Sequence, residues 1–468
     1  MPTLDEDRLF PQERAIRSLA RDLFETVKDL PIVSPHGHTD PRWFAENDAF
    51  ENPAELFVTP DHYVFRMLYS QGITLDDLGI PRRDGSRAEV DPREVWRIFA
   101  QHFYLFRATP SQLWIDHALQ YVFGVDQPLT EDTADDIYDQ IDACLAKPEF
   151  RPRALFDRFN IEVIATTEGP LDTLDHHATV ASSDWGGRVI TTYRPDQVTD
   201  PDNATFQANL DTFADLTGED TRSWSSYLSA HRKRRQDFIA HGATATDHGH
   251  PSARTANLST DAAKALFDRV VAGGATPDEK ELFRAQMLTE MAKISLDDGL
   301  VMQIHPGSRR NHSRLIFETF GADKGFDIPG STDYVETLAP LLDVAGHDPN
   351  FTLIIFTLDE TSYGRELAPL AGAYPALKLG PAWWFFDSAD GMRRFREMTT
   401  ETAGFYNTVG FNDDTRAFCS IPARHDVARR VDCSYLAGLV TTGRLGKADA
   451  FEVAADLTYN LAKKAYRL

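Results

Sequence analysis

The sequence predicts an α/β fold, a (β/α)8 TIM-like barrel with a large helical insertion after strand 1 and a smaller one after strand 4. Eight short apolar runs punctuate the 468 residues, and helix-length segments separate them. Runs of this length that lose their polar alternation suit parallel strands buried on both faces. Most of the runs also end on a polar residue capable of chemistry, as barrel strands do where their ends build an active site. With 42% hydrophobic residues, one barrel of about 250 residues plus insertions fits better than two independent domains. Residues 1–468 are therefore read as a single barrel domain.

The elements follow in order. Residues 6–29 read as a helix leading into strand 1, Leu30-Pro31-Ile32-Val33-Ser34-Pro35, which ends in His36-Gly37-His38. Strand 2, Val163-Ile164-Ala165, comes only after a gap far longer than an ordinary connection. Helical periodicity in stretches such as 92–99 and 133–138 makes residues 40–158 an insertion covering the barrel mouth. Strand 3, Val189-Ile190-Thr191, leads to Arg194, and strand 4 is read at Phe238-Ile239-Ala240. A second insertion, 248–297, separates it from strand 5, Leu300–Ile304, which ends on His305. Strands 6 and 7 are Leu353–Phe356 and Leu377–Leu379, and Trp383-Trp384 follows strand 7. Strand 8, Asn407–Phe411, runs into Asp413-Asp414-Thr415-Arg416, and two helices near 423–441 and 447–465 close the chain.

Composition narrows the function classes. A net charge of −24 argues against nucleic acid, whose binders cluster lysine and arginine. No apolar run approaches the roughly 18 residues of a membrane span, and the acidic Met1–Asp7 lacks the basic start of a signal peptide. Three cysteines, Cys144, Cys419 and Cys433, without CxxC spacing suit a reducing, cytoplasmic setting and no disulfide framework. Only 11 of the 48 basic residues are lysine. Together with the acidic excess, that skew reads as adaptation to high salt, where a screening length of about 3 Å at 1 M removes acidic self-repulsion.

The chemistry-bearing residues gather at strand ends. His36 and His38, at i and i+2, can project to one side and reach one ion. The motif alone is weak, since a second copy, His248-Gly249-His250, sits among Asp, Gly and Pro and is read as lying off any strand. Closing a barrel places strand 8 beside strand 1, so Asp414 falls near the two histidines as ligand, proton acceptor or both. Alone, Asn412–Thr415 would be a surface turn. Arg416 and Arg194 each read either as salt bridges or as carboxylate grips. His305 alone is more often structural than catalytic, and Trp383-Trp384 is packing or an aromatic wall beside a sugar. Asp61-His62-Tyr63 with Arg66 reads as an amphipathic helix start, with Asp61 near its N-cap. Strand 4 carries no lysine of the kind that bridges paired metals, so one ion is expected.

Taken together, the chain resembles the glucuronate isomerase (uronate isomerase) family of the amidohydrolase superfamily almost from end to end. The resemblance is carried by His36-Gly37-His38, Asp61-His62-Tyr63 with Arg66, Ala165–Glu168 with Asp172–His177, and Tyr193–Asp196. It continues through Ala240–Gly242 with Asp247-His248, His305–Gly307 with Arg310-Asn311, Trp383–Phe385, Gly410–Arg416, and Ser420–His425 with Arg429-Arg430. It implies an aldose–ketose isomerase that interconverts D-glucuronate with D-fructuronate and D-galacturonate with D-tagaturonate. One divalent metal, zinc by the family pattern, would sit among His36, His38 and Asp414. The sugar acid would meet Tyr63, Arg194 and Arg416, with His62, Asp247, His305, Trp384 and Arg310 nearby. The chain departs from the pattern at Ser34-Pro35 and at Ile421–Ala423.

Isomerisation through an enediol needs a base, a carbonyl polariser and a grip on the carboxylate. Asp414 is read as the base, with Tyr63 or His62 delivering the proton on the other side. Two alternatives stand: a metal-dependent amidohydrolase or lactonase of the same superfamily, and a non-catalytic barrel that binds sugar acids. The expected partner is a small-molecule uronate, with no nucleic acid and no membrane, and a homo-oligomer is expected.

Overall fold

Short β-branched runs pack side by side because each strand is covered on both faces. The computed structural model describes residues 4–468; Met1, Pro2 and Thr3 of the acidic N-terminus lie outside the described residues. Seven strands hydrogen-bond in chain order: β1 Ile32–Ser34, β2 Ile161–Glu168, β3 Arg188–Tyr193, β4 Ala245–His248, β5 Val301–Ile304, β6 Leu353–Ile355 and β7 Leu377–Leu379. Every pairing between them is parallel. The eighth segment joins β7 through a bridge between Leu379 and Thr408. The circle then closes, because the His38 N–H donates to Thr415 O at 3.1 Å and Ser34 Oγ donates to Asp413 Oδ1 at 3.1 Å. The fold is thus a curled (β/α)8 barrel in which the eighth stave is held by few backbone bonds.

Helices sheathe the outside. Arg14–Val27 lies against the long Ile421–Thr441 helix, burying Leu19, Leu23, Phe24 and Val27. Arg430 from that long helix stacks over the Phe24 ring at 4.3 Å while pairing with Asp426. Between β1 and β2 the chain is helical, including Pro41–Glu46, Pro53–Phe57, His62–Tyr69, Pro92–Gln101, Pro110–His117, Ala134–Leu145 and Pro152–Arg158. Asp61 caps His62–Tyr69 by accepting from the Tyr63 N–H at 2.8 Å, which aims the start of this helix at the barrel mouth. Among the described residues no helix is long and apolar enough to cross a membrane. The three cysteines are buried and unpaired.

Two expectations are corrected. Phe238-Ile239-Ala240 is not a strand but the last turn of the helix Trp224–Ala240, which stops where Gly242 turns left-handed at φ 89°. A short apolar run does not distinguish a buried helix face from a strand. Phe238 is fully buried against Tyr193, with ring centroids 5.0 Å apart. The true β4 is Ala245-Thr246-Asp247-His248, whose polar residues hid it. Consequently His248, read as lying off any strand, ends β4, although the absence of a lysine there still holds.

Candidate active site at the strand ends

A cavity of about 650 Å³ opens at the C-terminal ends of the strands. It is lined by every site residue expected from the sequence: His36, His38, His62, Tyr63, Arg194, Asp247, His305, Arg310, Trp384, Asp414 and Arg416.

The seam between the first and eighth segments forms its floor. His36 is buried and His38 is a quarter exposed, and Asp414 Oδ1 lies 3.7 Å from His36 Nε2 and 3.3 Å from His38 Nε2. Asp414 adopts φ 35°, a left-handed conformation that is uncommon outside glycine and that Asp tolerates better than most residues. Its neighbour Asp413 anchors the turn, pairing with His425 Nε2 at 3.0 Å and accepting from Ser34. Such local strain persists only where the surroundings over-determine it. Burial drives His36 down to about 3, so its imidazole is neutral at pH 7. Burial works against the Asp414 charge, yet His36, His38 and His305 around it hold the carboxyl well below the usual range. A neutral imidazole beside an ionised carboxylate is the state that metal ligation requires. Ligand atoms of His36, His38 and Asp414 lie within 4.8 Å of one another, so this donor set fits one divalent ion.

Beside this cluster runs a second chain of polar contacts. Asp247 Oδ1 lies 2.6 Å from His305 Nδ1, and Asp247 Oδ2 lies 3.3 Å from Arg194 Nε. Arg194 holds Asp247 well below its ordinary value against the effect of burial. With Asp247 ionised, His305 donates to it from Nδ1, and its buried Nε2 has no hydrogen-bond partner among the described residues. The His305 ring stacks on His36 at 4.7 Å and on Phe356 at 4.0 Å, which fixes its plane. Arg194 Nε also donates to Asp196 Oδ2 at 3.1 Å, so two carboxylates orient its guanidinium.

The mouth is polar and aromatic. His62 stacks on Tyr63 at 4.8 Å and meets Trp384 edge-on at 5.9 Å. Burial lowers His62 to about 3 and raises the Tyr63 phenol, leaving a neutral ring and a protonated hydroxyl. Arg416 donates to Asp323 Oδ2 at 3.2 Å. Arg310 pairs with Asp327 at 2.9 Å and lies over Trp384 at 5.5 Å. Asp323 and Asp327 come from the loop after β5, where Ser308–Arg309 and Ile328–Pro329 form a small antiparallel pair absent from the sequence expectations.

Arg424 is one of several lining residues, Asp196, Asp323 and Asp327 among them, that sequence reasoning left out of the site. It is buried, lies 3.5 Å over the Trp114 ring and 5.8 Å from the Tyr63 centroid, and donates to Asp387. Its only signal was the Ser420–His425 stretch, because helical periodicity does not say which arginine turns inward. Asp387, raised to about 7 by burial despite Arg424, sits behind it outside the cavity.

A family profile described as "Glucuronate isomerase" matches residues 7–466. The chain belongs to the glucuronate isomerase family. It is accordingly an enzyme, an aldose–ketose isomerase. It is 64% identical to the uronate isomerase of Mesorhizobium japonicum over 99% of each chain. It shares 63% with that of Rhizobium meliloti, again over 99% of each. The crystal structure of glucuronate isomerase from Caulobacter crescentus superposes with a TM-score of 0.98 at 61% identity, covering 99% of this chain and 97% of that one. The uronate isomerase of Thermotoga maritima gives 0.91 at 28% identity over 99% of each chain. The fold is thus shared with both of these structures over nearly the whole chain.

Proposed function

We propose that the chain interconverts aldouronates and ketouronates, D-glucuronate with D-fructuronate and D-galacturonate with D-tagaturonate, by proton transfer through an enediol. One observation carries this reading: two histidines and a carboxylate fit for one ion share a single cavity with arginines already oriented to grip an anion. High identity to proteins named uronate isomerase supports it.

In this reading Arg194 and Arg416 grip the substrate carboxylate through bidentate hydrogen bonds, and Arg310 and Trp384 border the sugar. Asp247 holds Arg194 and orients His305 from behind. A divalent ion held by His36, His38 and Asp414, zinc in our assignment, would supply Lewis acidity to the oxygens beside the reacting carbons. Asp414 takes the C2 proton, the O2 proton passes to O1, and the Tyr63 hydroxyl, with His62 stacked beside it, donates a proton to C1. The proton on Asp414 then returns to the tyrosinate through solvent, so both side chains end the cycle as they began. Asp414 is ionised in the cavity and so is available as a proton acceptor.

The test is incubation with D-glucuronate in D2O, with and without added divalent metal. Deuterium at C1 or C2 of recovered sugar is expected only from the metal-loaded enzyme. Hydrolysis of an amide or lactone without label would instead assign a hydrolase, and uronate binding without turnover a binding module. We also propose that the acidic, lysine-poor surface is an adaptation to concentrated salt.

A further inference from the structure

A second group of possible ligands, His248 and His250 with the cavity-lining Asp196, lies beside β4. Successive strand residues face opposite sides, so Asp247 lines the cavity while Thr246 and His248 do not. His248 and His250 are buried, and together with Asp196 they bring one ligand atom each to within 4.8 Å of one another. His250 Nε2 and Asp196 Oδ1 stand 3.9 Å apart, too far for a hydrogen bond. Four atoms here are buried and lack a hydrogen-bond partner: Asp196 Oδ1, His248 Nδ1, and both nitrogens of His250. Buried polar atoms are normally hydrogen-bonded, so four unpartnered ones in one spot point to an occupant. The surroundings suit a cation. His248 Nε2 lies 3.1 Å from Thr246 Oγ1, whose hydroxyl points to Val301 O at 3.5 Å, so Nε2 carries the hydrogen and Nδ1 the lone pair. The other Asp196 oxygen is fixed by Arg194 Nε and by the Gly249 N–H at 3.0 Å, which turns Oδ1 away from them.

We propose that Asp196, His248 and His250 form a second divalent-metal site, distinct from the His36–His38–Asp414 cluster, that takes an ion of the zinc type. Two imidazoles and one carboxylate suit zinc or a neighbouring transition ion rather than magnesium or calcium. The ion would anchor Asp196 and through it the guanidinium of Arg194, tying the carboxylate grip to a structural metal. The site stands on its own donors and does not depend on the isomerase reading.

The test is metal content of the full-length protein loaded with Zn2+ and freed of excess, measured for wild type and for the double variant His248→Gln/His250→Gln. Two equivalents per chain falling to one in the variant are expected, with His36→Ala removing the other. Because the double variant can misfold, anomalous scattering at the zinc edge from wild-type crystals provides an independent reading. Peaks are expected at both clusters. One equivalent in wild type, or a peak at His36–His38–Asp414 alone, would overturn the second site whatever the catalytic outcome.

Discussion

Asp414 is held ionised and left-handed at a point where it touches both His36 and His38. If it moves the proton, Asp414→Asn should lower kcat by about 10²-fold or more, the usual contribution of a general base. Steady-state assays with metal content measured alongside check this, and near-wild-type turnover would remove Asp414 from that role. Arg194 makes a different prediction. Replacing its planar fork by an ammonium in Arg194→Lys should raise KM for uronate about tenfold or more, with a smaller effect on kcat. Glu168, at the end of β2, titrates apart from the catalytic cluster. Burial raises it to about 8, Thr191 donates to it, and the buried His177, lowered to about 4, stays neutral 3.6 Å away. Its folded value lies above the unfolded 4.5, so its contribution is fully present below pH 4.5 and is lost as pH rises toward 8. Urea unfolding of Glu168→Gln should therefore lose less stability than wild type between pH 4.5 and 8. Identical slopes would show that Glu168 is not buried in the protonated form.

At the scale of elements, the eighth segment controls the site because it carries Asp413, Asp414 and Arg416 on few backbone bonds. Gly410 is its pivot. It sits at φ 77°, and an added Cβ would lie 2.7 Å from the carbonyl oxygen of Leu457, a backbone atom with little freedom to retreat. Gly410→Ala should cost at least about 1–2 kcal/mol in stability from the left-handed backbone alone. It should also displace Asp414 and weaken metal retention at His36–His38–Asp414. Denaturant unfolding and zinc titration of the purified variant read both effects, and unchanged values would show that the segment adapts elsewhere. The β4 region teaches the complementary lesson. Its polar Thr246-Asp247-His248 run is strand because the strands on both sides supply its hydrogen bonds, not because its own residues favour it.

For the whole molecule, the charge of −24 is spread over a surface where lysine is rare. Many arginines already have carboxylate partners, including Arg93 with Asp135 and Asp139, and Arg284 with Asp200, Asp202 and Glu281. The remaining acidic excess repels itself unless salt screens it. The melting temperature should rise as KCl increases toward molar concentration, as followed by calorimetry. A flat or falling dependence would end the high-salt reading.

How much of this could be read from the residues alone follows from where each signal originates. Apolar runs report burial, so seven of the eight staves, the helical insertion segments, the Asp61 cap and the HxH at the end of strand 1 were legible in one dimension. Chain order around a closed barrel was enough to bring Asp414 to His36. The fourth stave, the inward turn of Arg424, the Asp247–His305–Arg194 relay and the convergence of His248 and His250 on Asp196 were not legible. These depend on hydrogen bonds and side-chain directions supplied by neighbours distant in sequence, and only the assembled barrel decides them.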